Sequence, residues 1–425
     1  MKKTDVKYST YVKTLKEELV PAMGCTEPIA LAYGAAKARE VLGAFPERVV
    51  IEASGSIIKN VKSVIVPNTD HLKGIPAAAT AGIVAGKAEK KLECIASVTE
   101  EEIAQMREFL NNTDIKVVAV DNGYTFEIGV ILYKGDDTVK VRILNYHTNI
   151  VLIEKNGEVL HQLEVDGEGE TGLTDRSLLT IEDIIDFGNT VDLDDVREIL
   201  DRQINYNSAI AEEGLRGDYG ANIGKVLLAT YGDNILVRAK AKAAAGSDAR
   251  MNGCELPVVI NSGSGNQGMT TSLPVIEYAK ELGVDHDKLL RALTIANLVT
   301  IHQKTTVGRL SAFCGAVSAG AGAGAGIAYL LDGSYDVIKH TIVNALGNVS
   351  GIVCDGAKAS CAAKIASSIE AAILGYYMYK NGQQFYREDG IVGAGVEKTI
   401  ANVGRMARVG MKGTNEEIIK IMVGE

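Results

Sequence analysis

Thr125-Phe-Glu-Ile-Gly-Val-Ile-Leu-Tyr133, Val139-Lys-Val-Arg-Ile-Leu-Asn-Tyr146 and Asn149-Ile-Val-Leu-Ile-Glu154 are three runs rich in Val and Ile. Asp121-Asn-Gly123 precedes the first, and Lys155-Asn-Gly157 follows the last. β-Branched runs bounded by Asn-Gly turns predict strands. Val49-Val-Ile-Glu-Ala-Ser54 and Lys116-Val-Val-Ala-Val120 read the same way. Helices are predicted among them at about 76–89 and 99–111. Residues 46–170 therefore read as an α+β unit, and Asp166-Gly-Glu-Gly-Glu-Thr-Gly172 as the polar linker that ends it.

Outward from this unit the texture changes. On the N-terminal side, 8–20 and 26–42 read as helices, the first from Tyr11, Val12, Leu15 and Leu19 at helical spacing. Between them lies Pro21-Ala-Met-Gly-Cys-Thr-Glu-Pro28, a turn that its two prolines restrict. Beyond 178 the pattern is helical, with helices expected near 180–187, 192–215, 234–248, 269–282, 286–300, 308–332, 335–349 and 359–380. The expected fold is α+β: a mostly helical domain over 171–425, an inserted α+β domain over 46–170, and N-terminal helices over 1–45.

The 425 residues carry a net charge of −10 and no basic run, which argues against nucleic acid and polybasic membrane contacts. Small molecules and other copies of the chain, as a homo-oligomer such as a dimer, are the expected partners. The start, Met-Lys-Lys-Thr-Asp, lacks the apolar core of a secretory leader. Residues 312–331 are long enough to span a bilayer, but they are dense in glycine and have no flanking Lys/Arg cluster. A buried helix and a cytoplasmic protein are expected. There the six cysteines stay reduced and become candidates for metal binding or catalysis.

No two cysteines form a CxxC pair, which removes zinc ribbons, thioredoxin-like motifs and ferredoxin runs. Cys94 and Cys254 read as small buried hydrophobes. Cys314, Cys354 and Cys361 lie in Gly308-Arg-Leu-Ser-Ala-Phe-Cys-Gly315 and Gly351-Ile-Val-Cys-Asp-Gly-Ala-Lys-Ala-Ser-Cys361. On one continuous helix Cys354 and Cys361 would stand about 10 Å apart along the axis. A shared metal site thus requires a break at Asp355-Gly356, with Cys361 on the second turn of the helix that follows.

Ser262-Gly-Ser-Gly-Asn-Gln-Gly268 follows the strand-like Pro257-Val-Val-Ile260 and contains a GxGxxG match. No βαβ unit follows, so a dinucleotide is disfavoured. The loop's amides suit an anion such as a substrate carboxylate, with Ser262, Ser264, Asn266 and Gln267 adding hydrogen bonds. Lys59 and Asn60 are further carboxylate candidates, on a short polar loop. Arg309 is a natural carboxylate partner. His302 is a candidate proton shuttle or donor to a cluster sulfur, and His147 reads either as part of a hairpin or as functional. Cys25, just before a helix start, suits a base if the dipole lowers its pKa, and Glu27 is either catalytic or a first-turn acid.

The chain resembles the L-cysteine desulfidase family, related to the α-chain of the iron–sulfur L-serine dehydratases. The resemblance covers nearly the whole chain. It rests on the Pro21–Pro28 motif, the 262–268 loop and the spacing of Cys314, Cys354 and Cys361. It implies a [4Fe–4S] cluster held by those three cysteines, and Cys25 as base or as a fourth, displaceable ligand. It implies that the N-terminal helices return to a helical catalytic domain. It also implies β-elimination from an amino acid, L-cysteine yielding sulfide, pyruvate and ammonia. L-Serine is the alternative substrate, although this chain ends Met422-Val-Gly-Glu425 without the terminal cysteine found in related dehydratases. A non-catalytic zinc protein, with His302 as fourth ligand, and a purely structural helical oligomer are the readings from other classes.

Overall fold

A computed structural model describes residues 1–165, 167 and 173–423. The expected polar linker at 166–172 lies outside the described residues, apart from Gly167. The elements run α1 (Val6–Glu18), β1 (Pro21–Met23), α2 (Thr26–Leu42), β2 (Arg48–Ser54), α3 (Gly55–Val61), α4 (Gly74–Ala85), α5 (Glu100–Asn112), β3 (Asp114–Val120), β4 (Glu127–Lys134), β5 (Asp137–Leu144), β6 (Ile150–Lys155) and β7 (Glu158–Gln162). They continue as α6 (Ile181–Thr190), α7 (Arg197–Arg216), α8 (Ile223–Tyr231), α9 (Ile235–Met251), β8 (Pro257–Val259), α10 (Gly265–Leu282), α11 (His286–Val307), α12 (Gly315–Leu331), α13 (Tyr335–Val349), α14 (Cys361–Lys380), α15 (Val396–Arg405) and α16 (Lys412–Val423).

The sheet has the order β3-β2-β4-β5-β6-β7, with β2 and β3 parallel and every other pair antiparallel. Alternation puts Val49, Ile51, Ala53, Ile128, Val130, Leu132, Val139, Val141 and Ile143 on the buried face. Helix α2 lies against β4 and β5 there, and α4 packs on α2. That contact is close because Gly82 faces the Ala32 carbonyl, where a Cβ would sit 2.1 Å from the oxygen. The opposite face carries charge pairs such as Glu52–Lys140 at 3.0 Å, as expected for a one-sided sheet.

In the helical part α12 is the central rod, packed by α10, α11, α13 and α14. Its alternating glycines each admit a neighbour. Gly320 abuts Ser368, Gly322 Thr300, Gly324 Ala372 and Gly326 Val275. The Gly-Ala run is thus a packing code for close helices, and among the described residues no helix is long and apolar enough to cross a membrane.

The α+β, mostly helical class agrees with the expectation, while several elements differ in detail. Helix α12 begins at Gly315 rather than near 308, because the preceding segment is drawn into an extended bridge described below. Helix α14 begins at Cys361 itself, so that cysteine is on the first turn and not the second. Residues 55–61, expected as a polar loop, form the short α3. Helices α8, α15 and α16 and strand β7 were not expected. Glycine and serine disfavour helix locally in α3, and in the half-exposed α16 the apolar residues Ile418, Ile419, Ile421 and Met422 crowd into the second half after Gly413; tertiary packing decides both.

Three connections assemble the site. Tyr8 and Tyr11 of α1 both meet the Phe187 ring of α6 edge-on, at 5.3 Å between centroids. β1 pairs antiparallel with β8, Met23 opposite Pro257, which sets the Cys25 turn beside the 262–268 loop. Phe313 bridges Val353, with the Cys314 amide donating to the Ile352 carbonyl at 3.0 Å and the Cys354 amide to Ala312 at 2.6 Å. That bridge draws Cys314 and Cys354 together across a long stretch of chain.

Candidate active site

Four helix N-termini converge on one cavity. Cys25 is the N-cap of α2, Ser264 of α10 and Cys314 of α12, and Cys361 opens α14 after Ser360. None of the four has a side-chain cap hydrogen bond. Each first turn has unpaired N–H groups and a partial positive charge, so the cavity attracts anions. Ser262 and Gly263 hold φ of 50° and 84°, in a tight turn closed by reciprocal Asn261–Ser264 backbone bonds of 3.1 Å. Gly263 also admits the His147 ring, which a Cβ would meet at 2.9 Å.

The cavity is lined by Cys25, Cys314, Cys354 and Cys361, and by Glu27, Asn60, Ser262, Ser264, Asn266, Gln267 and Arg309. Two candidates lie elsewhere. Lys59 is buried but its ammonium donates to the Cys354 carbonyl (3.1 Å) and to Asn415 Oδ1 (2.8 Å). His302 Nε2 stands 2.8 Å from Glu397 Oε2, in a hydrogen-bond contact joining α11 to α15. A His302→Gln variant is therefore expected to lose about 1–2 kcal/mol of stability, read by denaturant unfolding, with kcat little changed.

Burial, and then the neighbouring Cys354 and Cys361 thiols, push the Cys314 thiol up to about 12. Burial also raises Cys361. Thiols in this state give up protons to a thiophilic cation rather than to water. Among the described residues no three His, Cys, Asp or Glu side chains stand close enough to hold a single metal ion. The convergent donors are thiols from three separate elements, a set that fits a cluster whose irons each take their own thiolate. The zinc alternative with His302 has no such fit, since His302 is turned to Glu397.

Cys25 differs from the expectation. Burial and then the Glu27 carboxylate push its thiol well above the ordinary range, outweighing the helix dipole. Its Sγ donates to Glu27 Oε2 at 3.1 Å. Burial also pushes the Glu27 carboxyl up, but His147 and then the Cys25 thiol outweigh that and leave it lowered to about 2. Asn60 Nδ2 donates to Glu27 Oε1 at 3.1 Å.

Two further residues join the site: His147, which the sequence left between a hairpin and a functional role, and Arg250, which it did not single out. His147 is 5% exposed, packs edge-on to Phe126 at 4.8 Å, and lines the cavity with an Nε2 that has no hydrogen-bond partner among the described residues. That nitrogen lies 3.8 Å from Glu27 Oε1, an ion-pair rather than a hydrogen-bond distance. Arg250 is 4% exposed and lines the cavity; its partners are the Gly24 carbonyl (2.8 Å) and Asn266 Oδ1 (3.1 Å), both neutral. Arg309 is committed instead to Glu18, through Nη2 at 2.7 Å and Nη1 at 3.3 Å, and Glu18 also takes Arg176. Asp248-Ala-Arg250 inside the small-residue run of α9 was the available sequence signal for a functional arginine.

Residues 89–420 match the family described as serine dehydratase alpha chain. The chain is 61% identical over 425 residues to a UPF0597 protein of Desulfitobacterium hafniense, covering 100% of this chain and 99% of that one. It is 53% identical over 416 residues to a UPF0597 protein of Lachnoclostridium phytofermentans, covering 98% and 100%. A UPF0597 protein of Chromobacterium violaceum is 37% identical over 420 residues, covering 97% of each. The chain belongs to the serine dehydratase alpha-chain family, together with these UPF0597 relatives.

Proposed function

We propose that the chain is an iron–sulfur-dependent carbon–sulfur lyase that converts L-cysteine to sulfide, pyruvate and ammonia. The observation that carries this reading is the meeting of four uncapped helix N-termini, and four of the six cysteines, at one cavity. In this reading 171–425 form the catalytic domain and 46–170 an inserted domain that supplies Asn60 and His147. Residues 1–45 pack on the catalytic domain and bring Cys25 and Glu27. The enzyme works in the cytoplasm as a homodimer.

Cys314, Cys354 and Cys361 would hold a [4Fe–4S] cluster, which when bound supplies a Lewis-acidic iron without a protein ligand. Arg250, Ser262 and the amides of the 262–268 loop bind the substrate carboxylate. His147 Nε2 accepts the α-proton, and Glu27 stabilises the imidazolium that results. As the Cα–H bond is lost the Cβ–S bond breaks and sulfide leaves. The enamine left behind tautomerises and is hydrolysed to pyruvate and ammonia. Cys25 packs over the reacting centre and, as a thiol, keeps Glu27 oriented.

L-Serine is the second reading, favoured by the name of the matching family. The same residues would act, with water as the departing group. Anaerobic reconstitution with iron and sulfide, followed by assays with both amino acids, separates the two. Sulfide and pyruvate from cysteine, both abolished together with the cluster absorbance in Cys354→Ala, are expected. Pyruvate from serine alone moves the assignment to a dehydratase; no product from either sinks the lyase reading.

A further inference from the structure

Helix α3 touches the cysteine loop on one side and the C-terminal helix on the other. Gly356 lies directly on its backbone, where a Cβ would meet the Lys59 carbonyl at 2.7 Å. The Lys59 ammonium, on a residue only 2% exposed, reaches the carbonyl of Cys354 at 3.1 Å. Its other acceptor comes from α16, Asn415 Oδ1 at 2.8 Å. The Asn415 amide is fixed in that orientation because its Nδ2 donates to Ser56 Oγ at 3.3 Å. Ile419 packs on Gly55, where a Cβ would meet its Cδ1 at 3.0 Å. The next residue of α3 after Lys59, Asn60, donates to Glu27 in the cavity.

We propose that α16 is a clamp on the cysteine loop, with Asn415 and Lys59 as its positioning residues. The physical argument concerns a buried cation. Lys59 is removed from water and needs its acceptors in place. With Asn415 present, the ammonium stays between α16 and the loop and pins the Cys354 carbonyl. Without it, Lys59 keeps one neutral acceptor and gains by moving toward solvent, which releases the carbonyl and shifts α3. Helix α16 is itself half-exposed, and packs chiefly on α3 and on the turn Met406–Gly410 before it. Such an element opens at low free-energy cost, so its attachment can be altered without unfolding the core.

The inference rests on the reading above only in taking Cys354 as a cluster ligand, and its test does not need the cluster. Amide hydrogen exchange is measured by mass spectrometry on the cluster-free, reduced full chain, as wild type, Asn415→Leu and Asn415→Asp. Leucine keeps the volume and removes the acceptor; aspartate keeps the acceptor. In Asn415→Leu the amides of residues 352–358 are expected to exchange about tenfold faster or more, the change expected for losing a hydrogen bond to a buried charge. Asn415→Asp should exchange as wild type does, and the amides of α12 should be unchanged in both. Unchanged exchange in the leucine variant overturns the clamp, as does equal acceleration in the aspartate variant, which would mean that the helix merely packs. A failure here leaves the elimination chemistry standing, and a protein inactive on both amino acids leaves the clamp standing.

Discussion

Replacing His147 with asparagine is expected to lower kcat by about a thousandfold while KM changes only a few-fold, the range found when a positioned general base is removed. His147 is buried, it faces the cavity, and its Nε2 has no partner among the described residues. A buried imidazole nitrogen left without a hydrogen bond is a cost to the fold, and such costs gather where chemistry needs them. Glu27, lowered to about 2, is a carboxylate throughout the working pH range, 3.8 Å from that nitrogen. It therefore favours the protonated ring that forms as the α-proton is taken. Glu27→Gln should lower kcat by a smaller factor, about tenfold to a hundredfold, because the base remains and only its electrostatic support is lost. Steady-state kinetics on the reconstituted enzyme decide the matter. If Cys25→Ser abolished turnover while His147→Asn left kcat within threefold, the thiol would be the base and the present assignment would fall.

The sequence made the sheet legible because β4, β5 and β6 are Val- and Ile-rich runs set between Asn-Gly turns, with burial alternating along most of β5 and β6. It made the helical part legible because the 312–331 run is too rich in glycine to suit lipid and suits close packing of α12. The cysteine pattern pointed to a convergent set, and the structure brings all three thiols, with Cys25, to one cavity. What stayed hidden depends on long-range contact. The Phe313–Val353 bridge that unwinds the start of α12 has no local signal. The helix dipole at Cys25 was visible, but the burial of the thiol, and then the Glu27 carboxylate beside it, override it through the depth of the site. Arg309 looked like the natural carboxylate anchor until Glu18, 291 positions away, proved to hold it. Arg250 was concealed inside a helix of small residues, and only its neutral surroundings reveal what it lacks.

That missing charge underlies the second large effect. Arg250→Met is expected to lower kcat/KM by about two orders of magnitude, mostly through KM, as loss of a charge-assisted contact to a bound carboxylate predicts. Every described partner of Arg250 is a neutral oxygen, whereas Arg309 and Arg176 share Glu18. A buried guanidinium without a counter-ion destabilises the unliganded fold. Gly265, where a Cβ would come within 2.4 Å of Arg250 Nε, holds the loop tightly against it. The arginine thus points its charge to the cavity side of the α10 N-terminus, where helix and side chain act on the same anion. Methionine of similar length removes the charge along with the bonds to Gly24 and Asn266, so the two effects on stability oppose each other. The unliganded variant should accordingly unfold within about 1 kcal/mol of wild type even though substrate binding is lost. Arg250→Lys restores the charge but not the planar fork, and should recover only part of the affinity. A loss confined to kcat, with KM unchanged, would place Arg250 at the charge developing in the reaction and would return the carboxylate to the loop amides alone.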